Sequence, residues 1–362
     1  MQPQLQRIEQ PTTARLLSLD AYRGLIMLFL VSNGFGFRAL LHHPKWSWLA
    51  VQVEHIEWEG MTLWDLIQPA FMLMVGVAML LSLARRQAEG ATFSKLCRHI
   101  VGRSLGLLVI CFLITNFNRG WPPVIWLTNV LGQIAMGTVL VFLVMRLRLP
   151  FQFVAAAAIL AGYWAVFALF PGRQGAFSPG DNIGARIDYA LFHIKNKGYY
   201  TNLNFVSSAV TMLFGVWAGM VLRQTRSHVY KIGALVAMAA GCIAGGVALA
   251  PFIPIVKRLY TPSFTIASAA PVLLILALLY WVVEVKGYRR WCWPVVVFGS
   301  NSIFIYCFSE VAHGWLSRGL SSFTNGFRFL GDWGAVVHNL SVLAVMWSLC
   351  YWLYRRKIFF KV

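Results

Sequence analysis

Charge is scarce in this sequence. Asp, Glu, Lys and Arg make up 12% of the 362 residues, where soluble domains average about 25%. Acidic residues are the scarcer kind, 12 against 31 Lys and Arg. So little charge beside 59% hydrophobic residues excludes a soluble globular chain. Spaced cysteine motifs are missing too. Cys97, Cys111, Cys242, Cys292, Cys307 and Cys350 lie in or beside apolar runs with no CxxC pair. That excludes a disulfide framework and a cysteine metal centre, so no metal is expected and the thiols read as small packing residues. The net charge of +19 does not form a basic stripe interleaved with aromatics, and no nucleic-acid module is recognisable. Nucleic acid is therefore excluded as a partner. No charged start stands directly before a short apolar core and a small-residue cleavage site, so residues 1–17 read as a cytoplasmic tail, not a secretory signal.

Long apolar runs are what the chain does have, at about 18–41, 61–84, 104–117, 124–145, 151–170, 203–222, 232–252, 264–285, 294–309 and 335–354. Several reach the roughly 20 residues that a helix needs to cross a 30 Å hydrocarbon core. They predict an all-α polytopic membrane protein, with about ten transmembrane helices in one bundle over 18–354 and a basic tail over 355–362. Basic residues cluster between alternate runs: Arg7, Arg15 and Arg23; Arg85 to Arg103; Arg146 and Arg148; Arg223, Arg226 and Lys231; Lys286, Arg289 and Arg290; Arg355 to Lys361. By the positive-inside rule both termini are expected to be cytoplasmic and the loop 42–61 outside. Two further outside segments, 171–202 and 310–334, are long enough to bind or cover something. Gly76-Val77 and Gly215-Val216 are small-residue positions where helices can approach closely.

The stretch from His55 to Ser82 joins a titratable approach (His55, Glu57, Glu59) to an apolar helix carrying Asp65, Gln68 and Pro69 in its first turns. A carboxylate in an apolar span costs about 2.5–3.5 kcal/mol on insertion scales and marks a functional position by default. Histidine is the side chain that exchanges a proton near neutral pH without help. Together they read as the mouth of a membrane-embedded catalytic site. The plain alternatives are an interfacial histidine and an anion at a helix N-terminus. In the first run Ser18 can cap the helix and Asp20 can pair with Arg23, while Asn33 falls toward the far side. Trp46 and Trp48 read as interface markers.

Several segments carry a family resemblance. They are Leu17-Ser-Leu-Asp-Ala-Tyr-Arg-Gly24, Asn33-Gly34, and His55-x-x-Trp58-x-Gly60-x-Thr62-x-x-Asp65-Leu66-x-x-Pro69-x-Phe71 followed by Gly76-Val77. Weaker matches are Gly215 to Gly219, Leu259 to Phe264 and Gly299 to Tyr306. In this order the chain resembles the heparan-alpha-glucosaminide N-acetyltransferase family and its bacterial relatives, within a wider group of transmembrane acyltransferases. The resemblance implies transfer of an acetyl group from cytoplasmic acetyl-CoA to an amino sugar or glycan across the bilayer, here a bacterial inner membrane. It places the essential histidine on His55 and the catalytic asparagine on Asn33, and it suggests a homodimer.

The residues suit that chemistry. A neutral His55 imidazole can take the proton of an attacking amine or carry the acetyl group itself. Asn33 can donate to the oxyanion, and Asp65 can hold the imidazole tautomer or position the amine. CoA phosphates need Arg, Lys or helix N-termini, for which Arg23, Arg85, Arg86, Arg103, Arg289 and Arg290 are candidates. Asn301 and Ser302 are expected to line the acyl-CoA passage beside Gly299. The chain departs from the family in an enlarged 34–54 segment, in Val130-Leu-Gly-Gln-Ile134 without the usual arginine, and in Gln68 at an apolar position. A carrier for an amino sugar, an O-acyltransferase of a cell-envelope glycan and an assembly factor are the competing readings. His55 with Asn33 favours chemistry, because a carrier needs no base beside an acyl path.

Overall fold

Helices that are apolar all round must be covered by other helices or by lipid, and burial sorts the elements of this chain accordingly. The computed structural model describes residues 16–117, 119, 121–195 and 198–360. The tail expected over 1–17 thus lies almost wholly outside the described residues, as do Arg7, Arg15 and Lys361. Thirteen α-helices follow one another: α1 (Leu17–Val31), α2 (Ser47–Gln52), α3 (Ile67–Ala88), α4 (Phe93–Asn116), α5 (Val130–Val144), α6 (Leu149–Leu169) and α7 (Ile183–Phe192), then α8 (Asn204–Arg223), α9 (His228–Leu249), α10 (Pro262–Tyr280), α11 (Cys292–Ser300), α12 (Ser302–Thr324) and α13 (Trp333–Arg355). No strand occurs among the described residues, so the all-α polytopic reading is borne out.

The centre of the bundle is the α3–α8 pair, each with 72% of its apolar window buried, against 22% for α4 and α9 and 28% for α6. Small residues let these two backbones meet. A Cβ on Gly76 would stand 1.9 Å from Met212 O, and one on Gly215 would stand 1.9 Å from Leu73 O. Each helix therefore supplies the glycine that the other's carbonyl occupies. Around this axis α9 packs along α10, α4 along α5, α1 along α11 and α12 along α13. Helix starts carry their own signals. Asn129 accepts from Gly132 N–H at 3.0 Å to begin α5, and Thr261 caps α10 with Pro262 as its first residue.

Two of the runs read as single spans are broken. The run 18–41 is α-helical only to Val31 and goes on as 3-10 turns over Asn33–Leu40, interrupted where Asn33, Gly34, Phe35 and Gly36 take φ values of 49°, 64°, 54° and 76°. Four successive left-handed residues cannot continue a right-handed helix, and for non-glycine residues each costs about 1–2 kcal/mol. The run 294–309 is broken at Asn301, where α11 and α12 meet at 77°. Among the described residues, seven helices can cross a membrane by length and composition, eight if α11 and α12 count as one bent span. At 15 residues each, α1 and α5 fall short of that length.

Candidate active site

The His55 end of α3 is built by local capping. A single turn of 3-10 helix over Trp64–Leu66 precedes α3. Asp65 Oδ2 reaches back to accept Thr62 N–H at 3.0 Å, which is half of a capping box. The Thr62 hydroxyl faces Glu54 O at 2.7 Å and Asp65 Oδ2 at 3.0 Å, tying the approach loop to the helix start. Gly60 N–H donates to Ile255 O at 2.8 Å and Trp58 Nε1–H to Phe177 O at 3.0 Å. The loop is thereby fastened to the segments before α10 and α7.

With Oδ2 committed to the cap, Asp65 Oδ1 is left to face two partners. His55 Nδ1 stands 2.7 Å away and Lys257 Nζ 3.2 Å away. Lys257 Nζ is also 3.0 Å from His55 Nδ1, and both contacts cannot be hydrogen bonds in one protonation state. A buried carboxylate needs a cation, and Asp65 is 1% exposed with Lys257 at 6%. We therefore assign the Nδ1 proton to the bond with Asp65, with Lys257 donating to the same oxygen. The Nε2 lone pair of His55 then points away from the buried pair, and the ring is 44% exposed. This is the orientation a base takes when a carboxylate fixes its tautomer.

Asn33 lies on the same face of the molecule. Gly34 packs on Val53, two residues before His55. The Asn33 amide, however, donates to Asn339 Oδ1 at 3.3 Å, and not to the His55–Asp65 pair. A left-handed asparagine between two helices is the kind of strained position that clusters at functional sites.

The opposite end of α3 opens on a cavity of about 1170 Å³. Phe71, Met74, Val75, Ala78, Ser82 and Arg86 face it from α3, a single stripe at helical spacing. Toward the Arg86 end the lining is basic, with Arg23, Arg86, His99, Arg103, Arg355 and Lys357; deeper, Leu107, Leu131 and Ile134 make it apolar. Among the described residues no carboxylate pairs with Arg86, Arg103, Arg355 or Lys357. Arg86 Nε is buried without a hydrogen-bond partner there. The cavity stops at Phe71. One turn beyond, buried Gln68 donates to Gln133 Oε1 at 2.8 Å, and Asp65 lies one turn beyond that.

The residues singled out in sequence are thus divided. His55 and Asp65 are brought into contact, and Arg23, Arg86, Arg103 and Ser302 line the cavity. Arg85 is exposed beside Glu89 at 3.8 Å. Arg289 stands 3.6 Å from Glu284, and Arg290 is exposed; none of the three is in the lining. Asn301 is fully buried and holds backbone, with Nδ2 donating to Ile358 O and Oδ1 accepting from Phe360 N–H, both at 3.0 Å. Lys257, Arg355 and Lys357 were not read from sequence as site residues. For Lys257 the available signal was its place two residues before the Leu259–Phe264 match.

Comparison with known proteins agrees with the resemblance carried by the motifs. No family model matches the chain. Over an alignment of 424 positions, gaps included, it is 27% identical to heparan-alpha-glucosaminide N-acetyltransferase of Homo sapiens. Over 425 aligned positions it is 25% identical to the protein of that name from Mus musculus. Each alignment takes in 96% of this chain and 60% of the relative, so the chain spans about 60% of the length of the curated relatives it matches.

Proposed function

We propose that this chain is a membrane-embedded acetyltransferase. It takes the acetyl group of acetyl-CoA at the basic end of α3 and passes it to the amine of an amino sugar or related glycan at the His55 end. The observation that carries the reading is that one helix serves both sites. Asp65 at its start orients His55, and a stripe from Phe71 to Arg86 lines the cavity. From Asp65 to Arg86 is about 30 Å at 1.5 Å per residue, on the order of a hydrocarbon core. The name of the human relative supplies the class of acceptor.

The cavity residues fit the donor. Arg86, Arg103, Arg355 and Lys357 can make charge-assisted bonds to phosphates, and the orphaned Arg86 Nε is a donor in want of an acceptor. The apolar stripe suits a thioester arm. The Gln68–Gln133 bond separates the cavity from the dyad, so transfer requires that bond to give way. At the dyad, His55 Nε2 accepts the proton of the amine as its nitrogen bonds to the acyl carbon. The C–S bond breaks and the proton passes on to the sulfur, worth about 10²–10⁴-fold as general acid–base catalysis. A transient acetyl on Nε2 uses the same geometry. Asn33 donates to the oxyanion once its amide leaves Asn339. The setting is a bacterial inner membrane with both termini cytoplasmic, and the assembly a homodimer.

The test is release of free CoA thiol by purified protein in vesicles supplied with acetyl-CoA. Release that depends on an added amino sugar, with recovery of the N-acetyl product, is the expected result. Uptake of the sugar without acetylation would make the chain a carrier. Release driven equally by a glycan bearing only hydroxyls would make it an O-acyltransferase.

A further inference from the structure

The last helix ends in a turn that glycine normally makes. Arg356 caps α13 and Lys357 follows with a φ of 57°. Lys357 N–H donates to Tyr354 O at 3.1 Å and Ile358 N–H to Leu353 O at 3.0 Å. This is the Schellman arrangement, whose left-handed position is usually Gly and sometimes Asn. A lysine there is strained, and nothing in the turn itself calls for its side chain.

The turn sends residues 358–360 back beneath the break between α11 and α12. There the buried Asn301 amide grips the strap, donating to Ile358 O and accepting from Phe360 N–H. A side chain that satisfies the C=O of one residue and the N–H of the next but one does what a neighbouring strand would do. Phe360 also stacks on Phe304, with centroids 5.1 Å apart and planes at 17°. Thus secured, Arg355, Lys357, Phe359 and Phe360 form part of the wall of the basic cavity.

We propose that the segment 355–360 is a built component of the donor site. Arg355 and Lys357 bind the phosphates of a nucleotide-bearing acyl donor, and Asn301 is the positioning residue that holds them there. The inference rests on the reading of this cavity as the donor site. It explains two features at once. Glycine at 357 would make the turn without strain but would place no charge in the cavity. Asn301, at 0% exposure, is sealed from any ligand, and its amide is spent on the two backbone groups of the strap.

The experiment compares acetyl-CoA with S-acetylpantetheine, which has the same thioester and no nucleotide, as donors in the transfer assay. Lys357→Gly relieves the left-handed residue and should fold at least as stably as the wild type. It should raise KM for acetyl-CoA roughly tenfold, the scale of one charge-assisted contact, and leave KM for S-acetylpantetheine unchanged. Arg355→Ala should act in the same sense. Asn301→Leu should reproduce the selective loss, and should add little in the Arg355→Ala/Lys357→Gly background. Should Asn301→Leu fail to fold, Lys357→Gly still decides the matter. A wild-type KM for acetyl-CoA in Lys357→Gly, or equal losses for both donors, overturns the proposal. Calorimetry showing no CoA binding to the wild type would instead overturn the donor-site reading beneath it.

Discussion

At Asp65 the two carboxylate oxygens have separate tasks, one accepting from Thr62 N–H in the approach to α3 and one facing His55 and Lys257. Lys257 supplies the buried cation beside that carboxylate, which is 1% exposed. Lys257→Met should therefore leave a buried charge unpaired and lower stability by about 3–5 kcal/mol, measured by thermal unfolding in detergent. Lys257→Met combined with Asp65→Asn should regain most of that loss while transfer stays slow, because a carboxamide can donate to Nδ1 as well as accept from it and so no longer enforces the Nδ1–H tautomer. A double variant as active as the wild type would remove both residues from the mechanism. His55→Ala should keep CoA affinity, lose about 10²–10⁴-fold in rate and lose the acid limb of the pH profile, since protonation of the base is what that limb reports. Asn33→Ala should lose about 10²–10³-fold and keep the limb. Transfer at the wild-type rate by His55→Ala would sink the catalytic reading and leave the carrier as the better account. His55 and Asp65 could be paired from sequence because they are ten residues apart in one motif. Lys257 is 202 residues from His55 and reads in sequence as one more loop cation.

Among the elements, α3 runs from the Asp65 end to the cavity lining, and its packing against α8 depends on glycine. Gly215→Val would place side-chain carbon where Leu73 O now lies, so the helices must separate. Overpacking of this kind costs about 1–3 kcal/mol, occasionally more. Gly102 on α4 has open space around its Cβ position, and Gly102→Ala should be neutral or gain up to about 1 kcal/mol. Melting curves of the two variants check the contrast; equal melting temperatures would mean that the α3–α8 contact is not under the constraint seen in the backbone. The apolar runs revealed in sequence that helices exist and roughly where. They did not reveal the unwinding at Asn33 or the bend at Asn301, because hydropathy is blind to φ. Asn33-Gly34 did carry the turn chemistry that accompanies positive φ, but within an apolar run that signal was outweighed.

For the whole molecule, what matters is which side each end of α3 faces. The basic lining gathers residues from the start of α1, the end of α3, the start of α4 and the end of α13. These belong to alternate segments of the chain, as the positive-inside rule requires of one membrane face. The charge pattern was fully legible in sequence, whereas the cavity it surrounds was not, since that depends on how three segments far apart in the chain (α1, the α3–α4 pair and the end of α13) converge. On the proposed reading, a bilayer lying across α3 puts a donor at the basic end and an acceptor at His55 on opposite sides, so that the acyl group must pass through the membrane. Cysteine labelling in sealed vesicles tests this, with Lys45→Cys reporting the exposed loop on the His55 side and Lys95→Cys the exposed start of α4. An impermeant reagent should modify Lys45→Cys from the outside of right-side-out vesicles and Lys95→Cys only from the inside. Modification of both from one side would place the two sites in the same compartment. Acetyl-CoA and acceptor would then meet without any transfer across the bilayer, and the length of the α3 stripe would need another explanation.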